Sequence, residues 1–286
     1  MFDNAYEALN SEVDAHGFDR NWAFGTGFAD PLSGVDTTVP SDVDAEALAA
    51  YCLMLADDAL VLSHRLQEWC TRAPELEDEV ALANIGLDLL GQARLLLTRA
   101  GKADGTERSD DDFAFLRDAP EFRNVRLVEL ANGDFAFSMA RLLVFSTWRL
   151  AVLQRLVLSA DPVLAAIAAK GVKEVTYHRD YSAQWVVRLG DGTELSHRRM
   201  QDGLDAVWPY VGELFAAHRF DLVDPLSVRD EFDAVIAQVL DASGLKSPES
   251  VGPVEVSGRD GSHTEALPAL LAEMQSVARA HPGATW

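Results

Sequence analysis

Asn84, Asp88 and Gln92 recur every four residues, and Glu174 and His178 are separated by the same interval. On an α-helix that spacing stacks side chains on one face. The first three therefore make a polar stripe, and the last two place a carboxylate beside an imidazole; Tyr177 and Tyr181 form a second such pair. Two chemistries are open to these residues. Buried polar groups need partners, which a hydrogen-bond network between helices supplies; alternatively, the carboxylate and the imidazole share a metal. A di-iron four-helix bundle asks for more, a Glu-x-x-His on each of two helices and a Glu on each of the others. His64 and His263 have no Cys or carboxylate at a recognised ligand spacing. The chain has no Gly-x-Ser-x-Gly, neither cysteine lies in a local catalytic signature, and Gly190-Asp191-Gly192 is too short for a dinucleotide fingerprint. Nucleophilic catalysis and phosphate cradling are left without support.

The elements that must position these residues are helices. Ser41 followed by Asp44 resembles a capping box, and Leu48, Cys52, Leu55, Ala59, Leu62, Leu66 and Trp69 then alternate at intervals of four and three, which predicts one long amphipathic helix. Pro74 suits the first position of a second helix, and Glu75, Glu77, Asp78 and Glu79 set negative charge against the positive end of its dipole. Leu76, Val80, Ala83, Leu87 and Leu90 form one apolar stripe on it, and Leu82, Ile85, Leu89 and Leu96 another. A helix apolar over so much of its circumference is expected to be central, with Gly101 as its stop. A segment near Arg123 to Ala131 leads to a third long helix from Asp134 to Ser159, with Phe135, Phe137, Phe145 and Trp148 filling core space. Asp161-Pro162 opens a fourth that runs to Arg188, and Ser196 caps a fifth that runs to Ala217. Weaker patterns predict helices over Arg229 to Leu240 and Glu265 to Ala280; Val254-Glu255-Val256 is a minor strand candidate. Residues 1–40, rich in Gly, Pro and aromatics such as Trp22, Phe24 and Phe28, read as an irregular extension, and residues 41–286 as one all-α domain.

At 286 residues and 48 % apolar, the chain can fill a sizeable core. Its net charge of −22 argues against nucleic acid and acidic membranes and suits solubility or a basic partner. Cys52 and Cys70 are expected to lie about five turns apart on one helix, too far for a disulfide, as reduced thiols. No run reaches roughly 18 uninterrupted apolar residues, and Met1 to Asp30 lacks a basic start followed by an apolar stretch, so a cytoplasmic protein is expected.

Longer motifs add a resemblance. Ala56-Asp57-Asp58-Ala59-Leu60-Val61-Leu62-Ser63-His64-Arg65-Leu66, Glu68-Trp69-Cys70, Ala73-Pro74-Glu75-Leu76 and Leu82 through Arg94 closely resemble the C-subunit family of phenylacetyl-CoA epoxidases. Lys173-Glu174-Val175, Tyr177-His178, Leu189-Gly190, His263-Thr264-Glu265, Leu271 through Gln275, Pro282-Gly283 and Trp286 extend the match, which runs from about residue 47 to the end. The resemblance implies a ferritin-like four-helix bundle with additional C-terminal helices, in a multicomponent bacterial monooxygenase that epoxidises the ring of phenylacetyl-CoA for phenylacetate catabolism. It places the di-iron centre in a distantly related catalytic A subunit. Counting from Pro74 sets that subunit's first Glu-x-x-His on Leu89 and Gln92, and its second on Val175 and His178. Three of the four slots thus lack the expected ligand. Residues 1–46 have no counterpart, and Ala266 stands where a further histidine is expected.

The expectation is a subunit with no catalytic residue, metal or cofactor of its own. Asn84, Asp88, Gln92, Glu174 and His178 would form a buried polar network. Its partners would be the A subunit, the small B subunit and, transiently, a flavin/iron–sulfur reductase. The alternative is a di-iron oxygenase in its own right, with an atypical ligand set of Glu174, His178 and Asp88. A helical module for a CoA ester is a third reading, weakened by the lack of a basic cluster for the phosphates.

Overall fold

Asp44 closes the N-terminal end of helix α1 (Ala45–Gln67), its carboxylate accepting from the backbone N–H groups of Glu46 and Ala47 at 3.0 and 3.1 Å. Ser41 takes no part; a single Asp cap suffices. The computed structural model describes residues 30–248 and 256–284, so the aromatics of residues 1–29, Val254-Glu255 of the candidate strand and Trp286 lie outside it. All the helices of the described residues belong to one compact unit that begins at Val35. Helix α2 (Leu76–Ala103) starts two residues beyond Pro74, with Glu75 as an extended N-cap residue, and runs through Gly101. Gly101 is a point of close approach instead of a stop, because a Cβ there would collide with the carbonyl of Arg108. The chain then crosses over through α3 (Asp110–Phe115) and the single turn α4 (Arg126–Glu129).

Helix α5 (Phe135–Leu156) is capped by Asp134, and α6 (Pro162–Gly190) by Asp161, whose Oδ1 accepts from the Leu164 N–H at 2.7 Å. Helix α7 (Glu194–Val207) is capped by Thr193 and gives way at Trp208–Phe215 to a 3₁₀ segment, where Pro209 lacks the N–H that an α-helix would use. After α8 (Arg229–Ser243), the expected terminal helix divides into α9 (Ala266–Met274) and α10 (Ser276–Ala280). The break falls at Gln275, whose buried amide donates to the carbonyls of Ala114 and Arg117 at 3.0 and 2.9 Å. The described residues contain no strand.

The structure corrects which helix is central. Helix α5 is buried nearly all round because α6, α7 and α8 all pack on it. Phe145 and Trp148 are buried; Phe135 and Phe137 are half-buried. Helix α2 packs chiefly on α1, and its Leu82, Ile85, Leu89 and Leu96 stripe fills the core. Its other stripe faces outward, with Leu76, Val80 and Leu87 exposed. Cys52 is buried and free, its thiol pushed up by burial; Cys70 lies just past the end of α1, half-buried and free.

Candidate functional site

Helices α2 and α6 meet along three polar rungs. Asp78 Oδ1 accepts from the Tyr181 hydroxyl at 2.9 Å and from Trp185 Nε1 at 3.0 Å. Farther along α2, Asp88 Oδ2 lies 3.0 Å from Nε2 of His178, which is 1 % exposed. Next, Gln92 Nε2 donates to Glu174 Oε2 at 2.9 Å, and the other oxygen of Glu174 pairs with Lys170. As α2 ascends from 78 to 92, its partners on α6 descend from 185 to 174, so these two helices are antiparallel. Helix α2 follows α1, and α6 follows α5, through short reversals. Only a long crossover between α2 and α5 satisfies all these directions, and residues 104–134 provide it.

Helix α5 contributes a residue that the sequence pattern does not single out. Arg149 of α5 is fully buried, and its guanidinium donates to the Leu55 carbonyl of α1 at 2.9 Å and to Gln92 Oε1 at 3.1 Å. The chain Lys170–Glu174–Gln92–Arg149–Leu55 therefore crosses the whole bundle. Burial pushes the guanidinium down to about 10, with the Asp58 charge opposing that shift, so it stays a cation at neutral pH. The available signal was a lone Arg149 amid the apolar run from Leu142 to Leu153.

Of the five residues expected in the network, Asp88 with His178 and Gln92 with Glu174 are brought together as two separate contacts. Asn84 is exposed on the outer side of α2 and belongs to neither. Leu89 and Val175 are fully buried apolar side chains. Two carboxylates of the Ala56-Asp57-Asp58-Ala59 motif, which helical spacing does not single out, are each fully buried and gripped by an arginine from far along the chain. Asp57 pairs with Arg117 at 2.5 and 2.9 Å, and Asp58 with Arg259 at 2.7 and 3.0 Å. His263 Nδ1 lies 2.8 Å from Glu129 Oε2, while its Nε2 donates to the Phe122 carbonyl at 3.0 Å.

These residues do not fit a di-iron centre. Such a centre needs several carboxylates and two imidazoles converging on dry space. Here Leu89 and Val175 offer no donor atom, Glu174 is engaged by an amide and an ammonium, and a buried guanidinium brings positive charge that would repel a metal cation. Among the described residues no three His, Cys, Asp or Glu side chains gather as a metal site. An open cleft of about 580 Å³ does bring together Arg123, His218, Arg219 and Arg259, a cluster invisible in the sequence. Its arginines are largely committed: Arg259 to Asp58, Arg123 to the carbonyls of Pro120 and Phe122, and Arg219 to the ring of Phe220 at 4.1 Å.

Two helical hairpins joined by one long crossover, with ten α-helices and no strand among the described residues, define an all-α protein of the ferritin-like class. Within that class, the chain belongs to the phenylacetic acid catabolic protein family, whose model matches residues 33–286. It is 44 % identical over 247 residues to the C subunit of the 1,2-phenylacetyl-CoA epoxidase of Escherichia coli (strain K12), an alignment spanning 84 % of this chain and 99 % of that relative.

Proposed function

We propose that this chain is a non-catalytic structural subunit of a multicomponent monooxygenase that epoxidises the ring of phenylacetyl-CoA, and that it binds and supports a di-iron catalytic A subunit. The observation that carries this reading is Arg149, a cation hydrogen-bonded to Gln92 in the bundle interior, beside the apolar Leu89 and Val175. By the family resemblance, those positions answer to metal ligands of the catalytic subunit. An internal guanidinium, a Gln–Glu contact and two aliphatic side chains keep the bundle filled without metal. What remains for such a bundle is its surface, and its role is exercised through contact with the iron-bearing chain, the small B subunit and, in turnover, a reductase. The likeness to an epoxidase C subunit supports the same reading.

Metal analysis tests it. The purified chain is expected to carry no stoichiometric iron, while its complex with the catalytic subunit carries iron in that partner and turns over phenylacetyl-CoA. About two irons per isolated chain, the load of a di-iron bundle, lost in Glu174→Ala, would overturn the proposal in favour of an oxygenase with an atypical ligand set.

A further inference from the structure

The most apolar 18-residue windows of α2 and α5 both meet the hydropathy of a membrane span, yet 94 % of the α5 window is buried against 44 % of the α2 window. The difference lies in the outward stripe of α2. Leu76 is 71 % exposed, Val80 52 % and Leu87 42 %, and with Ala83 and Leu90 they repeat at intervals of four and three, the seam that one helix offers another. Across the α2–α6 rungs, Tyr177 extends the same face at 50 % exposure, its ring tilted 30° to that of Tyr181 with centroids 6.2 Å apart. At its N-terminal end the stripe is bordered by Glu75, Glu77 and Glu79, none of which has a cationic partner among the described residues.

Charge decides what can cover this face. A second copy would bring the cations of its own α2, but Arg94 is paired with Asp110, Arg99 with Asp161 and Lys102 with Glu107, which leaves the exposed Arg72 and Lys173 nearby as two cations against the three glutamates. Residues 1–32, outside the family match, carry Asp3, Glu7, Glu12, Asp14, Asp19 and Asp30 against the single Arg20, so they would add negative charge to negative. An acidic lipid surface is repelled by the same carboxylates. We infer that the Leu76–Val80–Leu87–Tyr177 face is a docking seam for a helical partner chain that presents an apolar stripe flanked by Lys or Arg opposite Glu75, Glu77 and Glu79. Resting on the proposed function, that partner is the catalytic subunit.

The test measures affinity between the full-length chain and the iron-bearing subunit by calorimetry, with size-exclusion light scattering of each alone. Val80→Glu with Leu87→Glu is expected to weaken the complex at least about tenfold, the scale of losing buried interface anchors. Glu77→Lys with Glu79→Lys should weaken it too, and should reduce its sensitivity to salt. Leu158→Glu, a control on an 88 % exposed leucine in the turn just beyond α5, should leave affinity unchanged. Because every substituted side chain is exposed or half-buried, melting temperatures should stay within a few degrees of the unchanged chain. Binding by the α2 variants at full affinity would overturn the docking seam alone, as would an unchanged chain that dimerises through this face and becomes monomeric in the Val80→Glu, Leu87→Glu variant. Failure of the unchanged chain to bind the iron-bearing subunit would overturn both this inference and the proposed function.

Discussion

Arg149 buries a full positive charge whose nearest acceptors are an amide and a carbonyl, with Asp58 and Glu174 acting at longer range. Replacing it by Met removes a desolvated cation and also strands Gln92 Oε1, while the Leu55 carbonyl keeps its bond within α1. Arg149→Met is therefore expected to cost about 2 kcal/mol in denaturant unfolding, the scale for buried polar groups left without partners. Adding Gln92→Leu should recover part of that loss, a coupling that a double-mutant cycle would read. His64 offers a pH-dependent counterpart. Burial holds its imidazole below the ordinary value of 6.5, while Glu68 and Glu273 pull the other way. The folded chain thus binds this proton less readily than the unfolded one, so the contribution is complete above pH 6.5 and lost as pH falls through the folded pKa. Melting curves from pH 8 to about 5 should show a shallower acid-side decline for His64→Gln.

Among the helices, caps and breaks follow local chemistry closely. Asp44, Asp134 and Asp161 all close helix N-termini, and Pro209 ends α7 as its missing N–H requires. Asp161 has a second task that spacing could not reveal: it is fully buried and pairs with Arg99 of α2, whose Nη1 also donates to the Thr37 carbonyl at 2.6 Å. Asp161→Asn keeps a capping oxygen but removes the charge, whereas Asp161→Ala removes both. The Asn variant is expected to lose about 3 kcal/mol, the scale for a buried ion pair broken on one side, and the Ala variant about 1 kcal/mol more for the cap. Equal losses in the two variants would mean that the cap contributes nothing. The order of burial among helices was not legible either. Both stripes of α2 look alike in sequence, and which of them faces the core depends on where α1 and α6 lie.

For the molecule as a whole, the C-terminal region is held to the bundle by charge as well as by packing. Arg259 reaches Asp58 of α1 and the carbonyls of Met54 and Arg123 at 2.9 and 2.6 Å. Arg259→Met should leave Asp58 buried and unpaired and cost about 3–5 kcal/mol. Limited proteolysis should then cut first beyond residue 243, and an unchanged cleavage pattern would argue that packing alone holds this region. The same charge scale bears on assembly: at −22 the chain gains little by pairing with itself and much by meeting a basic surface.

By itself the sequence determined the all-α class, the positions of the long helices, the family, and the apolar identity of Leu89 and Val175 on the two helices that carry the polar rungs. Each of these is written in local spacing or in contiguous motifs, and neighbours in sequence suffice to read it. Only the tertiary structure decided that Arg149 bridges toward Gln92, that Asp57 and Asp58 are clamped by Arg117 and Arg259, that Asn84 faces outward, and that one apolar stripe of α2 is left uncovered. Those outcomes join residues dozens to hundreds of positions apart, and the helical period that predicts a face does not say what the face will meet.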